Sequence, residues 1–189
     1  MKTVAILEGW AGGPYLSRLF AKEAKGSGFQ LTKTAKQADV IVAHSTACYL
    51  LPKKQHAKLV VLIDPPYWPD EPIVKRWINM NKNEIKMLIK LFGYRRFAID
   101  KLWEAYYVFA KPRYTYSVLR NQSHLEFIKA LSSQKVLLIR NTEDEFCSPV
   151  IKDEIKKHKN LKYFELPGYH GDYYHHPKPY IDLILKELQ

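Results

Sequence analysis

Cysteine is scarce in this chain: Cys48 and Cys147 are the only two among 189 residues, and they sit in unrelated contexts. Two such thiols make no disulfide framework, so a reducing, cytoplasmic setting is the expectation. Long apolar runs are also missing. No window approaches the roughly 18 consecutive apolar residues of a membrane span, and no transmembrane segment is expected. The opening "MKTVAILEGW" has one lysine and an apolar run cut short by Glu8, too brief for a secretory leader, and it reads as a first core strand. The basic excess is large, a formal +11, but it is spread along the chain. Without a block of about five or six like charges it does not form a binding tail. No recognition motif accompanies it, which argues against a nucleic-acid partner despite the charge. Repeats and low-complexity segments are absent. With 47% apolar and 26% charged residues, positions 1–189 suit one globular domain.

What is present is an alternation. Short runs rich in β-branched residues ("TVAILEG", "FQLTKT", "ADVIVAH", "AKLVVLID", "KVLLIRN", "LKYFELP") are separated by longer amphipathic segments. That pattern predicts an α/β fold, a mostly parallel sheet with helices on both faces. Helices are expected from about Pro14 to Lys25, over "TACYLLPKK", over "SHLEFIKALSS", from about Pro149 to Lys157, and over "PKPYIDLILKEL". Between about 67 and 117 the alternation lapses. This insert holds Trp68, Trp77 and Trp103, and Leu102, Trp103, Tyr106, Tyr107 and Ala110 share a possible helical face. It reads as a helical cap over the sheet edge.

One stretch carries chemistry. In Ala43-His44-Ser45-Thr46-Ala47 a serine sits between a strand and a helical segment, with small residues two positions to either side. A nucleophile elbow, usually Gly-x-Ser-x-Gly, needs small residues there because strand and helix pass close together around a strained backbone. A helix-capping serine would look similar. The remaining chain supplies partners in the order that such elbows require, serine, acid, histidine. Asp144 lies in "TEDEFCSP" after one strand, and His170 in "GYHGDYYHHP" after the next. Both loops follow the carboxyl ends of strands, where open α/β sheets place their sites.

With these windows the chain resembles the short, single-domain serine hydrolases of the α/β-hydrolase superfamily, over essentially its whole length. "LEGWAGG" is similar to the family's oxyanion loop, "AHSTA" to its elbow and "LIRNTEDEFCSP" to its acid loop. "LPGYHGDYYHHP" is similar to its histidine loop, with Pro177 seven positions after His170. The resemblance implies a three-layer sandwich with Ser45 as nucleophile, His170 as base and then acid, and Asp144 as orienting carboxylate. It implies backbone donors at Thr46 and Trp10 for an oxyanion hole, and no cofactor. The implied substrate is a small acyl compound: an ester, a thioester or a similar species. Trp68, Trp77, Trp103 and Tyr173 would line the pocket. The sequence departs from the family at Glu8, where a histidine is common, at Asn141, usually glycine, and at both elbow alanines.

Other readings compete. Asp64 ends a strand just after the serine's turn and rivals Asp144 as the acid, although "LIDPP" also reads as a structural turn. His170, Asp172, His175 and His176 invite a metal, but their spacing matches no common zinc pattern, and no metal is expected. His44 is the neighbouring alternative base. The glycines of "GWAGGP" lack the spacing of a phosphate loop. A protein of this fold that binds a ligand or partner without turnover is the remaining alternative.

Overall fold

The structure, a computed structural model, describes residues 1–9, 17–51, 56–66, 134–144, 146 and 157–189, with single positions between 75 and 116 and at 152–153. Each of the six apolar runs forms a strand. These are β1 (Lys2–Leu7), β2 (Phe29–Leu31), β3 (Val40–His44), β4 (Leu59–Ile63), β5 (Val136–Asn141) and β6 (Leu161–Leu166). They make one sheet in the order β2-β1-β3-β4-β5-β6, and every neighbouring pair is parallel. The mostly parallel sheet read from sequence is therefore wholly parallel.

Strands β3, β4 and β5 are buried at every position, which is why they read as continuous apolar runs. Successive side chains point to opposite faces, so the runs feed two cores. Val40, Val42, Leu59, Val61, Ile63, Leu137 and Ile139 share one. Its cover is Phe20 and Ala24 of helix α1 (Arg18–Gly26) with Tyr180, Ile181 and Ile184 of helix α2 (Lys178–Glu187). Ile41, Ala43, Val60, Leu62, Val136 and Leu138 pack on the other face with Ala47, Cys48 and Leu161. At about 1.5–3 kcal/mol for each buried aliphatic side chain, these two layers supply much of the hydrophobic stabilisation among the described residues.

Register decides where the site falls. His44 pairs with Ile63, Ile63 with Ile139, and Asn141 with Leu166. The turns leaving β3, β4, β5 and β6 therefore emerge at one edge. At the opposite edge the two ends of the chain meet, where Lys2 Nζ donates to the Leu188 carbonyl at 3.1 Å.

Two expectations change. The segment after Ser45 is a short 3₁₀ helix over Ser45–Tyr49, not a longer α-helix, and Leu50 and Leu51 lie outside it. Pro52 disfavours helical geometry at the residue before it. At the cap positions, Leu102 and Tyr106 are helical as expected, yet both are exposed. The start of the first helix near Pro14, the helices over "SHLEFIKALSS" and most of 149–157, and most of the cap lie outside the described residues.

Candidate active site

Strand β3 ends at His44 in extended conformation, and the chain then turns at Ser45 with φ +55°. A non-glycine residue held there costs roughly 1–3 kcal/mol and persists only where its surroundings fix it. Ala43 and Ala47 are buried on the same face, and the Cys48 thiol donates to the Ala43 carbonyl at 3.2 Å, closing the turn. The chain leaving β1 fits against this turn. A Cβ added at Gly9 would lie 2.9 Å from Ser45 Cβ, 3.2 Å from the His44 carbonyl and 3.3 Å from Ser45 Oγ. Only a residue without a side chain lets that loop approach the hydroxyl so closely. Sequence reasoning placed Gly9 in a glycine-rich turn without seeing this specific demand.

The neighbouring loops carry the other two candidates. His170 Nδ1 lies 3.0 Å from Asp144 Oδ2, while Asp144 Oδ1 accepts the Phe146 N–H at 2.7 Å. A carboxylate accepting at Nδ1 selects the tautomer of the neutral ring, with the proton on Nδ1 and the lone pair on Nε2. The Phe146 ring lies 4.7 Å from the imidazole, and both Asp144 and His170 are buried. Gly168, at φ +137°, makes the bend before the histidine, and a Cβ there would collide with the Asp172 carboxylate.

Asp64 occupies the same edge, also with positive φ, +48°, and is fully buried. Its oxygens are taken by Asn141: the N–H donates to Oδ1 at 2.7 Å and Nδ2 to Oδ2 at 2.6 Å. Burial and then the nearby charge of Asp144 push its carboxyl well up. Asn141 does more. Its Nδ2 also donates to the Tyr169 carbonyl at 2.8 Å, and its Oδ1 accepts the Tyr180 hydroxyl at 2.6 Å. Its backbone carbonyl accepts the Asp144 N–H at 3.1 Å. One side chain thus joins β4, α2 and the residue before His170. Sequence reasoning saw Asn141 only as a departure from glycine.

Behind Ser45 lies a second polar cluster. His44 Nε2 is 2.7 Å from the His170 carbonyl and Nδ1 is 3.0 Å from the Tyr174 hydroxyl, so neither nitrogen is open for base chemistry at the serine. Tyr173 and Tyr174 both reach Glu8 Oε2, at 2.8 and 2.9 Å. Tyr173 was expected in the pocket wall. It is instead fully buried in the α1–α2 core, 5.4 Å from the Phe20 ring, because the 3₁₀ turn Asp172–Tyr174 carries it to that face. Trp10, Trp68, Trp77 and Trp103 lie outside the described residues.

Donor atoms of His44, Asp64 and His170 lie within 4.8 Å of one another, the kind of group that could hold a metal. Their bonds oppose it. Both nitrogens of His44, Nδ1 of His170 and both oxygens of Asp64 already have partners. An ion would have to break them.

No family model matches the chain, and no curated protein matches it in sequence. Solved structures do match. A hydrolase from Oleispira antarctica superposes with a TM-score of 0.63 at 12% identity, over 100% of this chain and 90% of that one. A thioesterase domain from the curacin biosynthetic pathway gives 0.62 at 11% identity, over 97% and 90%. A structure from a study of carboxylesterases of the thaumarchaeon Nitrososphaera gargenis gives 0.59 at 13%, over 99% and 89%.

Proposed function

We propose that this chain, which has the α/β-hydrolase fold, is a serine hydrolase that cleaves an ester, thioester or similar acyl compound. The observation that carries the reading is the conjunction of a serine at φ +55° on the turn after β3 with a His170–Asp144 pair on adjoining turns of the same edge. A capping serine needs no left-handed backbone and no glycine opposite its hydroxyl.

In this reading Nε2 of neutral His170 takes the Ser45 proton as the oxygen attacks the carbonyl carbon. Asp144 stabilises the imidazolium and holds its tautomer. The negative oxygen of the tetrahedral intermediate is met by the Thr46 N–H and by a donor from the loop after Gly9, with Trp10 as the candidate. The intermediate collapses as the imidazolium gives its proton to the leaving group. Water then enters, is deprotonated by His170, and releases the acid and free Ser45. No metal or redox group takes part. The pocket wall would come from the 67–117 insert and its tryptophans, and its ten Lys and Arg against five Asp and Glu favour anionic substrates.

A fluorophosphonate probe tests this directly. The wild type should be labelled and Ser45→Ala should not, with turnover of a p-nitrophenyl ester falling by up to about 10⁶-fold. An unlabelled wild type, or equal labelling of the variant, would overturn the enzyme reading and leave a binding protein of the same fold.

A further inference from the structure

Glu8 takes no part in the chemistry above, yet it stands half-buried, with its Oε1 enclosed, at the start of the loop that brings Gly9 to Ser45. Four short polar contacts lead away from it. They are Tyr173 hydroxyl to Glu8 Oε2 (2.8 Å), Tyr174 hydroxyl to the same oxygen (2.9 Å), Tyr174 hydroxyl to His44 Nδ1 (3.0 Å) and His44 Nε2 to the His170 carbonyl (2.7 Å). At these separations each pair needs a hydrogen between its heavy atoms.

The protons can be counted. A carbonyl only accepts, so His44 Nε2 carries a hydrogen. Each tyrosine brings one more. An ionised Glu8 with a neutral His44 therefore supplies three protons for four contacts. The fourth sits on Glu8 Oε2 or on His44 Nδ1, since Tyr174 has only one to give. Burial selects between them. It pushes the Glu8 carboxyl up and His44 well down, and the nearby His170 pushes His44 the same way. The groups acting on Glu8 are Tyr173 and Tyr174 from the Asp172–Tyr174 turn and Ser17 before α1, with His44 reached through Tyr174. Among the described residues no lysine or arginine acts on it, and positions 10–16 contain no charged residue. Oε1 is enclosed without a well-formed hydrogen bond, and beyond the two tyrosines the Ser17 hydroxyl is the one donor acting on the carboxyl among the described residues, so an ionised Glu8 would be thinly compensated.

We propose that Glu8 is a positioning residue that works as a neutral carboxylic acid, tying the loop of Gly9 to the loop of His170 without setting a negative charge beside Ser45. The acid donates to Tyr174, Tyr174 to His44 Nδ1, and His44 Nε2 to the His170 carbonyl. The proton comes from solvent on folding. The positioning role rests on the serine-hydrolase reading, whereas the protonation does not. A carboxylate beside an oxyanion would oppose the charge that the reaction builds.

The test uses the full chain as wild type, Glu8→Gln, Glu8→Ala and Tyr174→Phe. Infrared difference spectra of wild type against Glu8→Gln at pH 7 should show the C=O stretch of a protonated carboxyl. The folded chain keeps a proton that the unfolded chain releases, so wild-type stability falls as pH rises above the free glutamate value of about 4.3. The Tm advantage of Glu8→Gln should accordingly grow with pH and close at low pH. Fluorophosphonate labelling of the wild type should slow at alkaline pH, a decline absent from Glu8→Gln, and Glu8→Gln should label faster than Glu8→Ala. Tyr174→Phe should lower kcat with KM little changed. A missing carboxyl band, or a Tm gap that shrinks as pH rises, would overturn the neutral acid. Tyr174→Phe with wild-type kcat would overturn the positioning role. If the wild type takes no label, the hydrolase reading and the positioning role fail together, and the band still decides the protonation.

Discussion

Two aspartates stand at one edge of the sheet, and their immediate partners separate them. Asp144 Oδ2 faces the imidazole of His170, while both oxygens of Asp64 are spent on Asn141. Replacing Asp144 by Asn puts a donor against the Nδ1 proton and favours the wrong tautomer, so kcat should fall by about 10⁴. Asp64→Asn keeps a residue that tolerates positive φ. It turns one acceptor into a donor facing Asn141, which should cost about 1–3 kcal/mol of stability and far less rate. Parallel measurement of kcat and of the urea midpoint for the two variants checks this, and a crippled Asp64→Asn beside an active Asp144→Asn would reverse the assignment. The choice was only partly legible in the sequence. Order and loop placement favoured Asp144, but Asn141 as the partner of Asp64 draws on segments 77 positions apart and leaves no local pattern.

At the scale of elements, the exit of β1 comes close against the turn after β3, with Gly9 facing Ser45. Gly9 is not held at positive φ, so alanine is conformationally allowed there and the obstacle is steric. Gly9→Ala should leave the sheet folded while displacing the loop or the Ser45 rotamer by a fraction of an ångström or more. A misplacement of about 1 Å can cost 10²-fold. The expected result is a drop of that order in kcat/KM with a nearly unchanged Tm, read on the same ester. The strands themselves were plain from sequence because their β-branched runs are buried on both faces. The 3₁₀ turn after Ser45 was not, since five residues carry too little periodicity to distinguish it from the start of an α-helix. Tyr173 misled for a similar reason. An aromatic three residues from His170 reads as a pocket wall until the intervening turn is known.

For the molecule as a whole, one partly exposed carboxylate reinforces the parallel pairing of β1 with β3 at its outer end. Asp39 Oδ2 accepts the Thr3 N–H at 2.8 Å and the Thr3 hydroxyl at 2.9 Å, and Lys58 pairs with Oδ1 at 3.1 Å. The Thr3 hydrogen bonds, backbone first, lower its pKa from 3.8 to about 2. A carboxyl depressed on folding stabilises above its unfolded value and stops doing so as pH falls through the folded one. Wild-type Tm should therefore fall between about pH 4 and pH 2, with a shallower fall in Asp39→Asn. Parallel acid melts of both chains measure it, and identical slopes would assign the acid sensitivity elsewhere. The six-stranded architecture was legible because all of its strands are local signals. The shared edge was legible only through the rule that α/β sites follow strand carboxyl ends, and the hydrogen-bonded web behind the serine was not legible at all.

The salt-bridge-free tether from Lys2 to the Leu188 carbonyl carries an architectural corollary. Residues 1 and 189 could be spliced by a few glycines and serines at the face remote from Ser45. New termini opened in the surface link between β2 and β3, around Lys33, would cut no strand and leave β3 to β6 as an uninterrupted run. Such a rearranged gene would begin just ahead of β3, so the buried central strands β3, β4 and β5 would be made before the peripheral β1 and β2.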